Sequence, residues 1–177
     1  EFKSLELLIV RKIVCLCVAL CLAVGLSAQN VLSLKYQGFV DVDSGIAYNL
    51  NTAQTISTNN MQLFTTVTSI HGIQMKQCFV GIGAGYMHSY RDKENIYPMH
   101  GAFRYTWRSF RLKPFADVRL GIVYDPYWIS KVQTYGAISI GAEVYKKLQV
   151  GCRASVFTRP SRYFTANASV VLGYKFQ

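Results

Sequence analysis

The sequence predicts an all-β protein, an eight-stranded antiparallel up-and-down transmembrane β-barrel preceded by a cleavable signal peptide. After an apolar leader, the chain contains eight stretches in which apolar residues alternate with polar or small ones, the period-two pattern of a strand with one apolar face. These stretches are roughly 9 to 13 residues long, close to the length that a tilted strand needs to cross a bilayer. The connections between them alternate between long or charged loops and short turns.

The composition favours contact with something other than water. Of the 177 residues, 51% are hydrophobic and only 16% are charged, against about 25% charged in an average soluble domain. Outside the leader, no apolar run approaches the roughly 20 residues of a membrane helix. The net charge of +10 is scattered singly through strands and turns, so we expect no nucleic-acid partner.

The start of the chain has the order of a secretory leader. Arg11 and Lys12 precede an apolar run over residues 13–26, which ends in Ser27 and Ala28. A positive segment, a short apolar segment and a small residue at the cut are typical of a signal peptide. We therefore assign residues 11–28 to a signal peptide, 1–10 to an upstream extension or a mis-called start, and 31–177 to the barrel domain.

Alternation along the chain places each strand. The predicted strands span residues 34–42, 60–73, 78–90, 97–107, 113–124, 134–145, 148–158 and 164–176. The first alternates apolar residues with Lys35 and Asp41, so one of its faces is polar. The second is rich in threonine and its faces are similar; we place Leu63, Thr65 and Val67 outward.

The later strands have a clearer division between their faces. The third sets branched and aromatic residues against a row of glycines, and the fourth to seventh set apolar residues against small or charged ones. The eighth is apolar at every second position from Phe164 to Phe176. Between the strands lie predicted loops at 43–60, 91–97, 125–133 and 159–163, and short turns at 74–77, 108–112 and 146–147.

Charged residues within the strands all fall on the less apolar face, which we point into the barrel. On the lipid face, a Lys or Arg at mid-depth would cost about 2–4 kcal/mol. The predicted lumen charge network is Lys35, Asp41, Arg104, Asp117, Arg119, Glu143, Arg153 and Lys175. Eight strands enclose only enough space for side chains, and inward glycines leave room for the arginines, so we expect no continuous water channel.

Aromatic residues gather at the strand ends, as in the girdles of a membrane barrel. One predicted rim consists of Tyr36, Tyr105, Trp107, Tyr145, Tyr174 and Phe176, and the other of Tyr86, Tyr90, Tyr124, Tyr135 and Phe164.

Over residues 31–177 the chain resembles the small eight-stranded outer-membrane β-barrels of Gram-negative bacteria, of the OmpA/OmpX general type. The resemblance rests on the leader, the strand count, the loop alternation, the segments 79–85 and 114–121, and the aromatic end of the last strand. It implies a location in the cell outer membrane, with both ends of the barrel chain on the periplasmic side. It also implies an assembly signal at Leu172, Tyr174 and Phe176, although Gln177 follows the final aromatic residue.

The partners implied by this resemblance are outer-membrane lipid and lipopolysaccharide, the barrel-assembly machinery during biogenesis, and an unidentified extracellular partner. The protein is expected to be a monomer.

No catalytic, cofactor or metal site is predicted. The three histidines lie on three strands without other ligands at metal-binding spacing. Cys78 and Cys152 fall on opposite sides of the barrel, too far apart for a disulfide, and are expected to be free thiols. The one catalytic candidate, His88 with Ser89, consists of neighbours that point to opposite faces of a strand and cannot act together.

The predicted function is that of a non-enzymatic integral outer-membrane barrel, structural or acting in adhesion or binding through its outer loops. Tyr127 and Trp128 are candidate contacts for a partner, or they seat their loop at the lipid interface. The alternatives are a lipid A acyl hydrolase or transferase and a narrow pore. A secreted soluble barrel that binds an apolar ligand would need the reverse polarity, with the apolar face inside.

Overall fold

A computed structural model describes residues 34–51, 61–126, 132–159 and 163–177. The predicted signal peptide, the upstream extension, and the candidate contacts Tyr127 and Trp128 lie outside the described residues. In the part that is described, no helix is long and apolar enough to cross a membrane.

Eight antiparallel strands close into one barrel. They are β1 Leu34–Asn51, β2 Met61–Met75, β3 Cys78–Ser89, β4 Asn95–Thr106, β5 Pro114–Tyr124, β6 Val132–Tyr145, β7 Leu148–Arg159 and β8 Tyr163–Phe176. Each strand pairs with the next along the chain, and β8 pairs with β1 to complete the ring. The predicted all-β, closed, up-and-down architecture is confirmed, and closure leaves no strand edge unpaired.

The first strand has 18 residues, twice the length predicted from the sequence. It continues past the predicted end at Val42 to Asn51, so the prediction of a loop over residues 43–51 is wrong. Asp43 pairs in register with Thr66 on one side and Val171 on the other, and its side chain is 3% exposed. A strand whose inward residues are acidic has no apolar alternation to mark it, and that is why composition indicated a loop.

The two ends of the barrel differ in their connections. At one end, which we call the turn end, lie the two-residue turns 76–77 and 146–147 and the longer turn 107–113. At the other, the loop end, lies the connection 90–94 together with three connections that fall partly or wholly outside the described residues. The turn 107–113 exceeds 90–94, so the predicted alternation of loop lengths does not hold for β4–β5. This turn is closed by Trp107 N–H donating to Pro114 O at 2.9 Å and Lys113 N–H to Phe110 O at 3.1 Å.

The outer face of the barrel is apolar. Ile82, Leu120 and Ile140 are 75%, 67% and 68% exposed. The charged side chains of β5 and β6, in contrast, are buried inside; they are Asp117, Arg119 and Glu143. The outward placement of Leu63, Thr65 and Val67 is confirmed by the alternating burial of β2. This polarity is the reverse of a water-soluble barrel and fits a hydrocarbon surrounding.

The lumen is filled by side chains in layers. Near the loop end lies an apolar cluster of Ala47, Phe64, Met87, Ile96, Val123, Tyr135, Ala137 and Phe157. Near the turn end lies a second cluster of Phe39, Ile70, Phe79 and Ala102. Tyr135 is 5% exposed, so its predicted place in the outer aromatic rim is wrong. It shares the inward side of β6 with Ala137 and Ser139, as the period of two requires.

Candidate functional site

Between the two apolar clusters lies a layer of buried ions centred on Arg119. This side chain is fully buried, and its guanidinium binds Asp117 Oδ1 through Nε at 2.9 Å and Asp41 through Nη2. Arg104 donates to Asp117 Oδ2 from Nε at 3.1 Å and from Nη2 at 3.0 Å. Two arginines therefore share one aspartate, with hydrogen bonds of the charge-assisted kind.

A second arm of the network runs through Arg153. Its Nη2 lies 2.8 Å from Asp41 Oδ2 and its Nη1 lies 2.6 Å from Asp43 Oδ1. Its Nε donates to Ser139 Oγ at 2.9 Å, and Ser169 Oγ donates to Asp43 Oδ2 at 3.3 Å. Asp43 thus joins the predicted network, from which sequence reasoning omitted it because it assigned the residue to a loop.

Aromatic rings and glycines shape the space around these ions. The Arg104 guanidinium carbon lies 4.1 Å from the centre of the Phe39 ring and 4.4 Å from that of Phe115, a cation–π contact on both faces. A Cβ at Gly141 would lie 2.7 Å from Phe115 Cζ, and one at Gly173 would lie 2.8 Å from Asp41 Oδ1. These two inward glycines therefore make room for an aromatic ring and a carboxylate. That the inward glycines also leave room for the arginines stays a prediction.

A separate ion pair lies at the turn end of the lumen. Glu143 binds the Lys175 ammonium, and Lys113 Nζ approaches its other oxygen at 3.7 Å. Lys35 has the inward parity that was predicted and pairs with Gln74 of β2, but the pairing with β8 begins only at Gly38, and the Lys35 side chain is exposed. Parity gives the side of a strand, not the height along the barrel, and Lys35 is not part of the lumen.

With Asp43 added and Lys35 removed, the described salt bridges of the lumen join equal numbers of cations and carboxylates. They are Arg104, Arg119, Arg153 and Lys175, and Asp41, Asp43, Asp117 and Glu143. Asp125 near the loop end is a further buried carboxylate, which accepts a hydrogen bond from Gln133. The three arginines reach across from β4, β5 and β7 to carboxylates on β1 and β5. This layer occupies the middle of the lumen and ties strands from opposite sides of the barrel together.

The outer face carries a polar group that sequence reasoning missed. Ser69 Oγ lies 2.9 Å from His71 Nε2, and His71 Nδ1 lies 2.6 Å from the Tyr36 hydroxyl. The Phe176 ring packs edge-on against His71 at 5.6 Å between ring centres, over the space left by Gly38. Ser69 and His71 are two residues apart and so share a face, but the contact with Tyr36 depends on the pairing of β1 with β2.

This group, the Ser69–His71–Tyr36 triplet, borders an open groove on the lipid-facing surface. The groove has a volume of about 650 Å³. Its outward lining residues are Ser69, His71, Ile82, Ala84, Met99, Gly101 and Ile122. The small residues Ala84 and Gly101 create the depression between larger apolar neighbours.

The residues weighed for catalysis at the loop end are kept apart. His88 points outward, where its Nδ1 lies 2.7 Å from Asn95 Oδ1. Ser89 is buried on the inner side and donates to Gln62 Oε1 at 2.9 Å. Cys78 and Cys152 are free thiols, on β3 and β7. Among the described residues, no group of three His, Cys, Asp or Glu side chains is placed to hold a metal ion.

The aromatic end of β8 closes the barrel against β1. Gly38 pairs with Phe176, Val40 with Tyr174 and Val42 with Leu172. The three residues of the predicted assembly signal therefore all lie at the seam, with Leu172 and Tyr174 exposed on the outer face.

The chain is similar to known proteins in its fold. No family model and no curated protein matches the chain. Neisserial surface protein A is similar in structure, with 11% identity and a TM-score of 0.53, over 81% of this chain and 99% of that one. The outer membrane enzyme PagL is similar with 13% identity and a TM-score of 0.57, over 76% and 98%. A de novo designed transmembrane β-barrel is similar with 13% identity and a TM-score of 0.50, over 79% and 95%. The resemblance to small eight-stranded outer-membrane barrels is confirmed at the level of the fold.

Proposed function

We propose that this protein is an integral outer-membrane barrel that acts as a structural or surface-interaction protein through its loop end. The observation that carries the proposal is the reversed polarity of the barrel. Its outer face is lined by exposed residues such as Ile82 and Ile140, while Arg104, Arg119 and Arg153 are buried inside. A surface of this kind is stable only where hydrocarbon replaces water.

The proposed role at the loop end follows from the rest of the molecule. The lumen is filled by the ion layer and the two apolar clusters, and the outer face of the proposed membrane barrel contacts lipid. Contacts with other molecules outside the membrane are then left to the connections on a rigid scaffold. Tyr127 and Trp128 remain the candidate contacts for an unidentified extracellular partner.

Extraction of membranes tests the insertion. Membranes that contain the full chain are washed at alkaline pH, which removes peripheral proteins, and are then extracted with detergent. We expect the protein to stay in the pellet after the wash and to enter the detergent phase. Release by the alkaline wash alone would overturn the proposal.

The proposed closed lumen makes a separate prediction about conductance. Arg119 crosses the middle of the lumen and binds carboxylates on two strands, so ions have no continuous path. Planar bilayers that contain the purified barrel should show no large, stable channels. Such channels would support the pore alternative instead.

A lipid-modifying enzyme is the second candidate, and the Ser69–His71–Tyr36 triplet is the observation that favours it. If His71 donates its Nδ1 proton to the Tyr36 hydroxyl, its Nε2 can accept the proton of Ser69 Oγ, as a general base does. Ser69 Oγ would attack an ester carbonyl of a lipid, and His71 would pass the proton to the departing alcohol. Water would then release the fatty acid from the serine.

This candidate ranks second because of two parts that such a site needs. One is a carboxylate that orients the histidine, and the other is a set of free backbone N–H groups that bind the oxyanion. The described contacts of His71 include no carboxylate, and the backbone N–H groups around Ser69 lie within the β1–β2–β3 ladders. Release of fatty acid from labelled lipid in detergent micelles is the test. Ser69→Ala should abolish it and Ser44→Ala, another outward serine, should not; no release by the wild type removes the candidate.

A further inference from the structure

Exposed cations form a ring at the turn end of the barrel. The members of this basic ring are Lys35, Lys76, Arg108, Arg111, Lys113, Lys146 and Lys147. The carboxylate at this end is Glu143, which is buried and already bound by Lys175, with Lys113 at 3.7 Å. Among the described residues, the other six members of the ring make no salt bridge.

The loop end has a different pattern of charge. In the connection 90–94, Arg91 and Lys93 alternate with Asp92 and Glu94. Asp125 at this end is buried and accepts a hydrogen bond from Gln133. In the connection 90–94 the cations are therefore mixed with carboxylates along the same segment, whereas those of the basic ring are not.

The aromatic side chains at the turn end set the height of the basic ring in a membrane. Tyr36, Tyr145 and Tyr174 are exposed on the outer face, where such rings lie at the level of the lipid headgroups. Lys146 Nζ lies 5.7 Å from the centre of the Tyr145 ring, and Lys147 Nζ lies 5.8 Å from that of Tyr174. Both ammonium groups thus lie over tyrosine rings that are exposed at this end of the barrel.

The backbone gives no reason for lysine at these turns. Lys76 and Lys146 have φ of 50° and 36°, in the left-handed region that favours Gly and Asn. Both side chains are exposed, and the described contact of their charged ends is that of Lys146 Nζ with the Tyr145 ring. What lysine adds at these positions is a positive charge at headgroup height.

We propose that the turn end of this barrel binds anionic phospholipid headgroups, through the phosphodiesters of the monolayer that surrounds it. The best-defined site is the turn Lys146–Lys147, where two ammonium groups lie beside two interfacial tyrosines. Each Lys or Arg near an anionic lipid surface strengthens binding about fivefold. The inference rests on the proposed insertion in a membrane and adds a lipid class and a location to it.

Two matched double variants test this site. K146Q/K147Q removes two charges from one turn at the turn end, and R91Q/K93Q removes two from one connection at the loop end. Each pair includes a lysine with positive φ, because Lys93 has φ of 53° and Lys146 of 36°. Any backbone effect of the exchange is therefore shared between the two variants.

Full-length protein in detergent micelles is offered phosphatidylglycerol and phosphatidylcholine with the same acyl chains, and the bound lipid is counted by native mass spectrometry. The wild type should prefer phosphatidylglycerol. The preference should fall by at least about fivefold in K146Q/K147Q and stay unchanged in R91Q/K93Q. It should also weaken between about 0.1 M and 1 M salt, because the Debye length shortens from about 10 Å to 3 Å.

The outcomes that overturn the inference are distinct. Equal losses in both variants, or no preference in the wild type, would show that the basic ring does not select lipid. Displacement by an equal concentration of inorganic phosphate would indicate a general anion site and would overturn the lipid assignment. Wild-type protein that folds into phosphatidylcholine vesicles without the preference contradicts this inference alone. Protein that folds into no vesicle contradicts the proposed function, and this inference with it.

Discussion

Replacing Arg153 by methionine should destabilise the folded barrel by about 3–5 kcal/mol, the cost of leaving a buried charge without its partner. Arg153 is 4% exposed, and it binds Asp43 at 2.6 Å and Asp41 at 2.8 Å. Asp41 keeps Arg119 and Arg104 after the change. Among the described residues, Asp43 then keeps only the weak donor Ser169 at 3.3 Å, so the loss comes mainly from this carboxylate left without a cation.

The cost expected for Arg153→Met agrees with a separate estimate from Coulomb's law. Two unit charges about 4 Å apart interact by about 4 kcal/mol at an effective dielectric constant of about 20. Asp43→Asn is milder, at about 1.5–3 kcal/mol, because Arg153 retains Asp41 and only one charged hydrogen bond is lost. The double variant Arg153→Met/Asp43→Asn no longer contains the carboxylate left without a cation. Its cost should therefore be smaller than the sum of the two single costs, by at least about 1 kcal/mol.

Urea titration of the protein in phospholipid vesicles, followed by tryptophan fluorescence, measures these free energies of unfolding. Val156→Met on the same strand places methionine on the lipid face and should change stability by less than about 0.5 kcal/mol. Equal slopes with urea in all variants are required for the comparison. A loss below about 1 kcal/mol for Arg153→Met, or additive costs in the double variant, would refute the assigned role of Asp43.

Three further predictions concern the faces of the barrel and its seam. Ile138 is 62% exposed at the middle of β6, so Ile138→Arg should cost about 2–4 kcal/mol in the same titration; a negligible cost would show that this face does not meet hydrocarbon. Gly38→Val would place a Cβ 2.3 Å from Phe176 Cζ and should lower the fraction that folds into vesicles, measured by the gel mobility of unboiled samples; wild-type folding would contradict this packing. Cys152 is exposed on the outer face and Cys78 is half-buried, so a lipid-soluble maleimide should label Cys152 faster, and a disulfide-dependent gel shift under oxidation would contradict their separation.

The sequence predicted the architecture well because the pattern on the lipid face is strong. Strands β3 to β8 alternate large apolar residues with smaller or polar ones, and this period is kept whatever lies inside the barrel. The first strand beyond Val42 was missed for the same reason. There the inward residue is Asp43 and the next outward residue is Ser44, so both faces are polar and the alternation vanishes.

Other parts of the site depend on geometry that alternation does not contain. Parity assigned Lys35 to the lumen side, but only the pairing of β1 with β8, which begins at Gly38, shows that β8 does not reach the height of Lys35. The Ser69–His71–Tyr36 triplet likewise requires the register of β1 with β2. Tyr135 is a different case, because its parity was already visible in the sequence. That parity places Tyr135 inside the barrel, and its assignment to the aromatic rim against this parity was wrong.

The ions inside the barrel show where the excess positive charge behind the net charge of +10 does not lie. Among the described residues, the salt bridges of the lumen join four cations to four carboxylates, and Asp125 is a further buried carboxylate, so the excess of positive charge does not lie there. An unbalanced ion in that interior would cost several kcal/mol, and this favours neutrality inside. Within the described barrel, the surplus is concentrated in the basic ring at the turn end, where Glu143 is already bound by Lys175. No other described carboxylate side chain lies at this end to compensate it, and the proposed anionic lipid surface would supply phosphates at the height where the ring presents its ammonium and guanidinium groups.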